Sequence, residues 1–109
     1  MKATVFAVAL AMGAVGCGPG YQLTMTSPDS VVAKPANCQF VVITTRPDRP
    51  FDEIATLDHT RGYPSRDVGD FKSRVAENVC KAGGDAVIAK YGESDNHAGY
   101  VQGTVIRWK

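Results

Sequence analysis

The chain predicts an α+β fold: one small domain in which a single helix packs on a roughly four-stranded sheet, in the order β-β-α-β-β. Three observations carry this. Residues 65–82, SRDVGDFKSRVAENVCKA, place apolar side chains on a helical period and stop at Gly83-Gly84. Residues 39–45 (QFVVITT) and 86–91 (AVIAKY) are strand-like, the first β-branched and the second led by an apolar run. A length of 109 residues suits one domain and no more.

The amino terminus comes first in the chain. Met1-Lys2 is a minimal positive start, and residues 3–15, ATVFAVALAMGAV, carry no charge. That run is too short to span a bilayer as a helix and fits the apolar segment of a signal peptide over residues 1–16. It ends in Ala14-Val15-Gly16-Cys17. Small residues before a cysteine at this place resemble the lipobox of bacterial lipoproteins, with Ala14 where leucine is commonest. The resemblance implies cleavage before Cys17, a diacylglycerol on its sulfur and an acylated new amine. The alternative is an ordinary secretory signal cut near Gly20. Two or three acyl chains anchor a protein stably where one is marginal. Without Lys2 the mature chain has 11 charges of each sign, so it has no polybasic patch for headgroups and the lipid alone is the anchor.

Residues 18–37, GPGYQLTMTSPDSVVAKPAN, are dominated by Gly, Pro, Ser and Thr. With Cys17 they read as a lipidated linker, 17–37, that spaces a domain of residues 38–109 from the membrane. Residues 22–26 alternate enough for a short edge strand, the weaker alternative.

Residues 39–45 form the first strand, broken by Arg46-Pro47-Asp48-Arg49-Pro50. Residues 51–53 suit a turn of helix. Residues 54–60 alternate as the second strand, with Ala55 and Leu57 on one face and Thr56 and Asp58 on the other. In the helix, Val68, Phe71, Val75, Val79 and Ala82 make one apolar stripe, while Lys72, Arg74, Glu77 and Lys81 mostly occupy the other side. Ser65 or Asp67 caps the start, and Asp70 and Lys81 complement the two ends of the dipole. Gly83 supplies a left-handed stop. The third strand follows at Ala86, then a polar turn at 92–98, then a last strand over 99–108 that hairpins back on the third.

The segments PFDEIATLD, GGDAVIAKY and the Gly-led closing strand together resemble a group of small bacterial lipoproteins related to the Rcs envelope-stress sensor lipoprotein and, more remotely, to the YbjQ-type domain. The resemblance covers residues 38–108, and its most specific piece is Ala82-Gly83-Gly84-Asp85-Ala86-Val87-Ile88. It implies a small α/β domain with one sheet. The stress sensor has four domain cysteines and a long basic linker, where this chain has two and a short linker, so the signalling role does not carry over.

Function classes narrow by elimination. Positive and negative charges balance at 12 against 11, which offers nothing to nucleic acid. His59 and His97 share no ligand spacing with other residues, so no metal or cofactor is expected. The Asp95-Asn96 turn lacks a full calcium loop. Ser65 and Ser94 have no histidine or acid at motif spacing, so no catalytic residue is assigned. The glycines of GGD stop a helix before a strand, the reverse of a phosphate loop. Trp108, Tyr100, Tyr91 and Tyr63 read as sheet-packing residues.

Cys38 and Cys80 are the two cysteines left after lipidation, and an oxidising envelope pairs them. Cys80 lies on the flank of the helix, within reach of the segment before the first strand. If the first and second strands run parallel, the helix returns to the starting edge and the two cysteines meet; in a simple hairpin they need not. The expected protein is therefore non-enzymatic and anchored by lipid in the cell envelope, in the outer membrane facing the periplasm. Its partners are the membrane and another envelope protein, for which it senses or scaffolds. The alternative is a small-ligand or metal-binding envelope lipoprotein.

Overall fold

A computed structural model describes residues 20–27, 32–94 and 97–109. The expected signal peptide, Cys17 and the tip of the last hairpin lie outside them. One helix packs on one mixed sheet, but the sheet has five strands where four were expected. The strands are β1 (Tyr21–Met25), β2 (Val41–Ile43), β3 (Phe51–His59), β4 (Ala86–Ser94) and β5 (His97–Trp108), and the helix α1 (Val68–Ala82) falls between β3 and β4. Their order across the sheet is β1-β3-β5-β4-β2. All pairs are antiparallel except β2 with β4.

The extra strand is the first correction. Tyr21 to Met25, expected in the linker, pairs with β3 from His59 to Ala55. Tyr21 and Leu23 alternate with Gln22 and Thr24, which is the period a half-buried edge strand needs. Tyr21 is buried, stands edge-on to Phe71 with ring centroids 5.2 Å apart, and donates its hydroxyl proton to the Tyr100 carbonyl. The folded domain thus includes residues well before 38, back to Gly20, whose carbonyl accepts from the Thr60 N–H at 2.7 Å.

Three boundaries also differ. β2 keeps only three of the seven expected residues, because Gln39 and Phe40 before it and Thr44 and Thr45 after it lie outside the ladder with β4. Residues 51–53 open β3 instead of forming a helical turn, since Phe51 and Asp52 pair with Trp108 and Arg107. Most of the expected turn at 92–98 is strand, as the hairpin of β4 and β5 continues to Ser94 opposite His97.

The helix follows its pattern. The Asp67 side chain accepts from the Asp70 N–H at 2.7 Å, and Gly83 ends the helix at φ 81°. Phe71, Val75 and Val79 are fully buried against Ala55, Leu57, Val87 and Val105. Gly84 is required for another reason: a Cβ there would lie 2.4 Å from Val105 Cγ1.

β2 and β3 run in the same direction but are not neighbours; β5 and β4 lie between them. The connection over residues 44–50 therefore returns along the sheet. Ile106 alternates with Val105 and so points away from the helix, yet it is fully buried. At this end Arg46 stacks over Phe51 at 4.9 Å and Arg49 over Trp108 at 4.4 Å.

The stretch before β2 is pinned to the end of the helix. The Lys34 N–H donates to the Cys80 carbonyl at 2.8 Å, and its ammonium donates to the Gly84 carbonyl at 3.0 Å and to Asp85 Oδ1 at 2.6 Å. Asp85 Oδ2 accepts from the Trp108 N–H at 2.9 Å. Burial raises the Asp85 pKa, but the Lys34 and Trp108 hydrogen bonds and the charges of Lys34 and Arg107 outweigh it, so the carboxyl titrates below its usual 3.8. A carboxyl whose folded pKa is lowered stabilises the fold above the unfolded pKa and loses that contribution as pH falls through the folded one. Asp85→Asn is accordingly expected to cost about 1.5–3 kcal/mol near neutral pH, the range for hydrogen bonds to a charged group. In urea titrations the gap from the parent protein should close as pH drops below 3.8. A gap independent of pH would assign the loss to side-chain shape.

Candidate functional site

The outer edge of β4 is where this fold leaves backbone groups unclaimed. β2 pairs only with Ala86, Val87 and Ile88. The Thr26 and Thr60 N–H groups donate to the Ile54 and Gly20 carbonyls, so opposite β1 the even-numbered residues of β3 face that strand and the odd-numbered ones face β5. Alternation carried through β5 turns the peptide groups of Ala86, Ile88, Lys90 and Gly92 toward β5 and those of Val87, Ala89, Tyr91 and Glu93 outward. β2, opposite Ala86 to Ile88, takes up the groups of Val87. Among the described residues no strand pairs with Tyr91 or Glu93 on that side.

An open groove of about 610 Å³ adjoins this edge, lined in part by Thr44, Ile88, Lys90, Tyr91, Gln102 and Thr104. Its walls offer hydroxyls, an amide, a phenol and one ammonium. Such an edge accepts an added strand: main-chain hydrogen bonds supply affinity and alternate side chains supply selectivity. Lysine on an edge strand discourages pairing with arbitrary chains. An incoming strand that places a carboxylate opposite Lys90 removes that penalty.

The residues singled out by sequence are scattered. Cys38 and Cys80 are bonded, with α-carbons 5.8 Å apart. Their bridge ties the segment before β2 to the helix, about where the flank position of Cys80 allows, and lies apart from the groove. Ser65 is buried; its Oγ accepts from Arg74 at 3.2 Å and its N–H donates to the Tyr21 hydroxyl at 3.2 Å. That is a structural role at the start of the helix. The His59 ring packs on Tyr21 with centroids 5.5 Å apart, and its buried Nε2 has no hydrogen-bond partner among the described residues. No group of three or more metal-ligating side chains occurs among the described residues. No described helix is long and apolar enough to cross a membrane.

The aromatic residues divide. Tyr100 packs on Phe71, and Trp108 meets Phe51 edge-on. Tyr91 touches Tyr100 but is 56% exposed, and Tyr63 is 62% exposed. These two are surface residues and not the sheet-packing residues expected. The free edge itself was missed by sequence reasoning, because it exists only where β2 stops short of the end of β4. Pro47 and Pro50 were the available signal, since they break β2 early while β4 runs on.

Comparison with protein-family models, with curated proteins and with solved structures returns no match for this chain.

Proposed function

We propose that this protein is a lipoprotein of the cell envelope, held by acyl chains on Cys17 in the outer membrane and facing the periplasm, whose domain is a non-enzymatic interaction module. The module adds one strand of an envelope partner to the outer edge of β4. The observation that carries this is the pair of outward peptide groups at Tyr91 and Glu93 near the groove, on an edge that β2 covers for three residues only. The uncharged run ending in AVGC supports the anchor.

Two experiments test the two halves. Cys17→Ala should abolish acyl labelling and send mature protein to the soluble fraction; a variant that stays labelled and membrane-bound removes the anchor. For the edge, a photo-crosslinker at Thr44 should capture a partner protein in native envelopes. Glu93→Pro deletes an outward N–H while leaving the inward ladder of β4 intact. It should suppress that capture with little change in melting temperature, whereas capture at full yield would rule out strand addition there.

A further inference from the structure

The expected linker is largely absorbed into the fold, and this brings the domain down onto the bilayer. Cys17 precedes Gly20 by three residues, and three residues of extended chain reach at most about 11 Å. Gly20 itself is fixed: its carbonyl accepts from both the N–H and the hydroxyl of Thr60, and a Cβ on it would lie 2.3 Å from the Arg61 carbonyl oxygen. Any lipid on Cys17 therefore holds one particular end of the domain.

That end is distinctive. Tyr21 pairs with His59 beside Gly20, and an isolated bridge joins Ser65 to Tyr100 there. Tyr63 and Tyr91, both more than half exposed, flank this end. The hairpin of β4 and β5 continues past Tyr91 for three further paired residues, to Ser94 opposite His97. At about 3.3 Å per residue that is an advance of roughly 10 Å, comparable to the full reach of the segment from Cys17.

We propose that the short tether seats the domain on the lipid headgroups, with Tyr63, Tyr91 and the paired backbone of β4 and β5 just beyond Tyr91 in contact with the bilayer. The inference rests on the acylation of Cys17. Tyrosine suits this position, because its ring is apolar and its hydroxyl reaches water and headgroups. Charge does not drive the contact. Arg61 and Arg66 are exposed at this end, but so are Asp58, Asp67 and Asp70. The tether does the work by raising the local concentration of the surface, so the contact should form on zwitterionic lipid and persist in high salt. The opposite end, with Trp108, Arg46 and Arg49, lies about 26 Å away along the eight residue steps of β3 and faces outward.

Trp108 is the single tryptophan, which makes the orientation measurable. Cys17 is the one cysteine outside the Cys38–Cys80 bond, so the mature chain from Cys17 can be coupled through its thiol to maleimide-bearing lipid in phosphatidylcholine vesicles. This chemical coupling tests the geometry whether or not cells acylate Cys17, and acyl labelling tests that premise separately. Brominated acyl chains quench tryptophan only on near contact. In a Trp108→Phe, Tyr91→Trp variant, and likewise in Trp108→Phe, Tyr63→Trp, emission should be largely quenched, at low and high salt alike. In the parent chain Trp108 should keep its emission. A long Gly/Ser insert before Gly20 should restore most of the lost emission. Unquenched tryptophan at both 63 and 91, a quenched Trp108, or quenching undiminished by the insert would each overturn the proposal.

Discussion

Phe71→Ala is expected to cost about 3–5 kcal/mol, the range for emptying a large buried aromatic site. Phe71 is fully buried and sits at the meeting point of the whole fold. Its ring stands at 89° to Tyr21 on β1 and lies 5.9 Å from Tyr100 on β5. Beneath it Gly103 leaves the hollow that the ring fills: a Cβ on Gly103 would come within 3.1 Å of Phe71 Cζ. The helix and backbone around the site are held by other contacts, so the cavity cannot collapse fully. For a domain of this size each kcal/mol moves the melting temperature by about 4–8 °C, which puts the expected fall well above 10 °C. Urea unfolding of the parent and variant gives the direct comparison. A loss below about 1 kcal/mol would mean that the helix meets the sheet through other residues. Phe71→Leu, which keeps most of the volume, should be markedly milder.

Removal of the Cys38–Cys80 bridge carries the other large effect. The bond spans 42 residues of sequence, and the chain-entropy model assigns a loop of that length about 4 kcal/mol. Native proteins of this size have total stabilities of about 5–15 kcal/mol, so the share is large. The damage should also be local. The bridge, the Lys34–Asp85 ion pair and the three-residue ladder of β2 together hold residues 34–43 to the rest of the domain. A three-residue edge ladder is too short to stand alone. A Cys38→Ala, Cys80→Ala variant should therefore lose amide protection in residues 34–43 first, while β4 and β5 retain theirs until global unfolding. Hydrogen exchange followed by mass spectrometry reads both. Two alkylatable thiols in air-oxidised parent protein would refute the bond itself.

Loss of β2 would also lengthen the unclaimed edge of β4. Reduction of the bridge should thus expose the peptide groups of Val87 next to those of Tyr91 and Glu93. The disulfide limits how much of the edge an incoming strand can occupy.

Some of this architecture is local and was legible along the chain. The stripe of Phe71, Val75 and Val79 repeats on the helical period, Asp67 offers a carboxylate three residues before a free N–H, and Gly83 accepts a positive φ. Each depends on residues within a few positions of one another. The pairing of β4 with β5 is of the same kind, since a short turn leaves neighbouring strands little choice. The expectation of an oxidising compartment and of a lipidated Cys17, which leaves two cysteines, pointed to the disulfide partners before any distance was known.

What the sequence by itself determined, then, is the helix, its caps and its buried face, the last hairpin and the identity of the bonded cysteines. The tertiary structure alone decided which strands lie side by side. Tyr21, Leu23 and Met25 carry a weak alternation inside a stretch rich in Gly, Pro, Ser and Thr, and they become a strand because β3 offers an open edge and Phe71 a surface for Tyr21. β2 and β3 follow one another in the chain and run the same way, yet end two strands apart, because the Cys38–Cys80 bridge and Lys34 deliver β2 to the edge beside β4. A periodicity records which face of a segment is apolar and nothing about the segment that covers it. Edge pairing joins residues thirty or more positions apart through backbone groups that every residue carries, so no side-chain pattern encodes it.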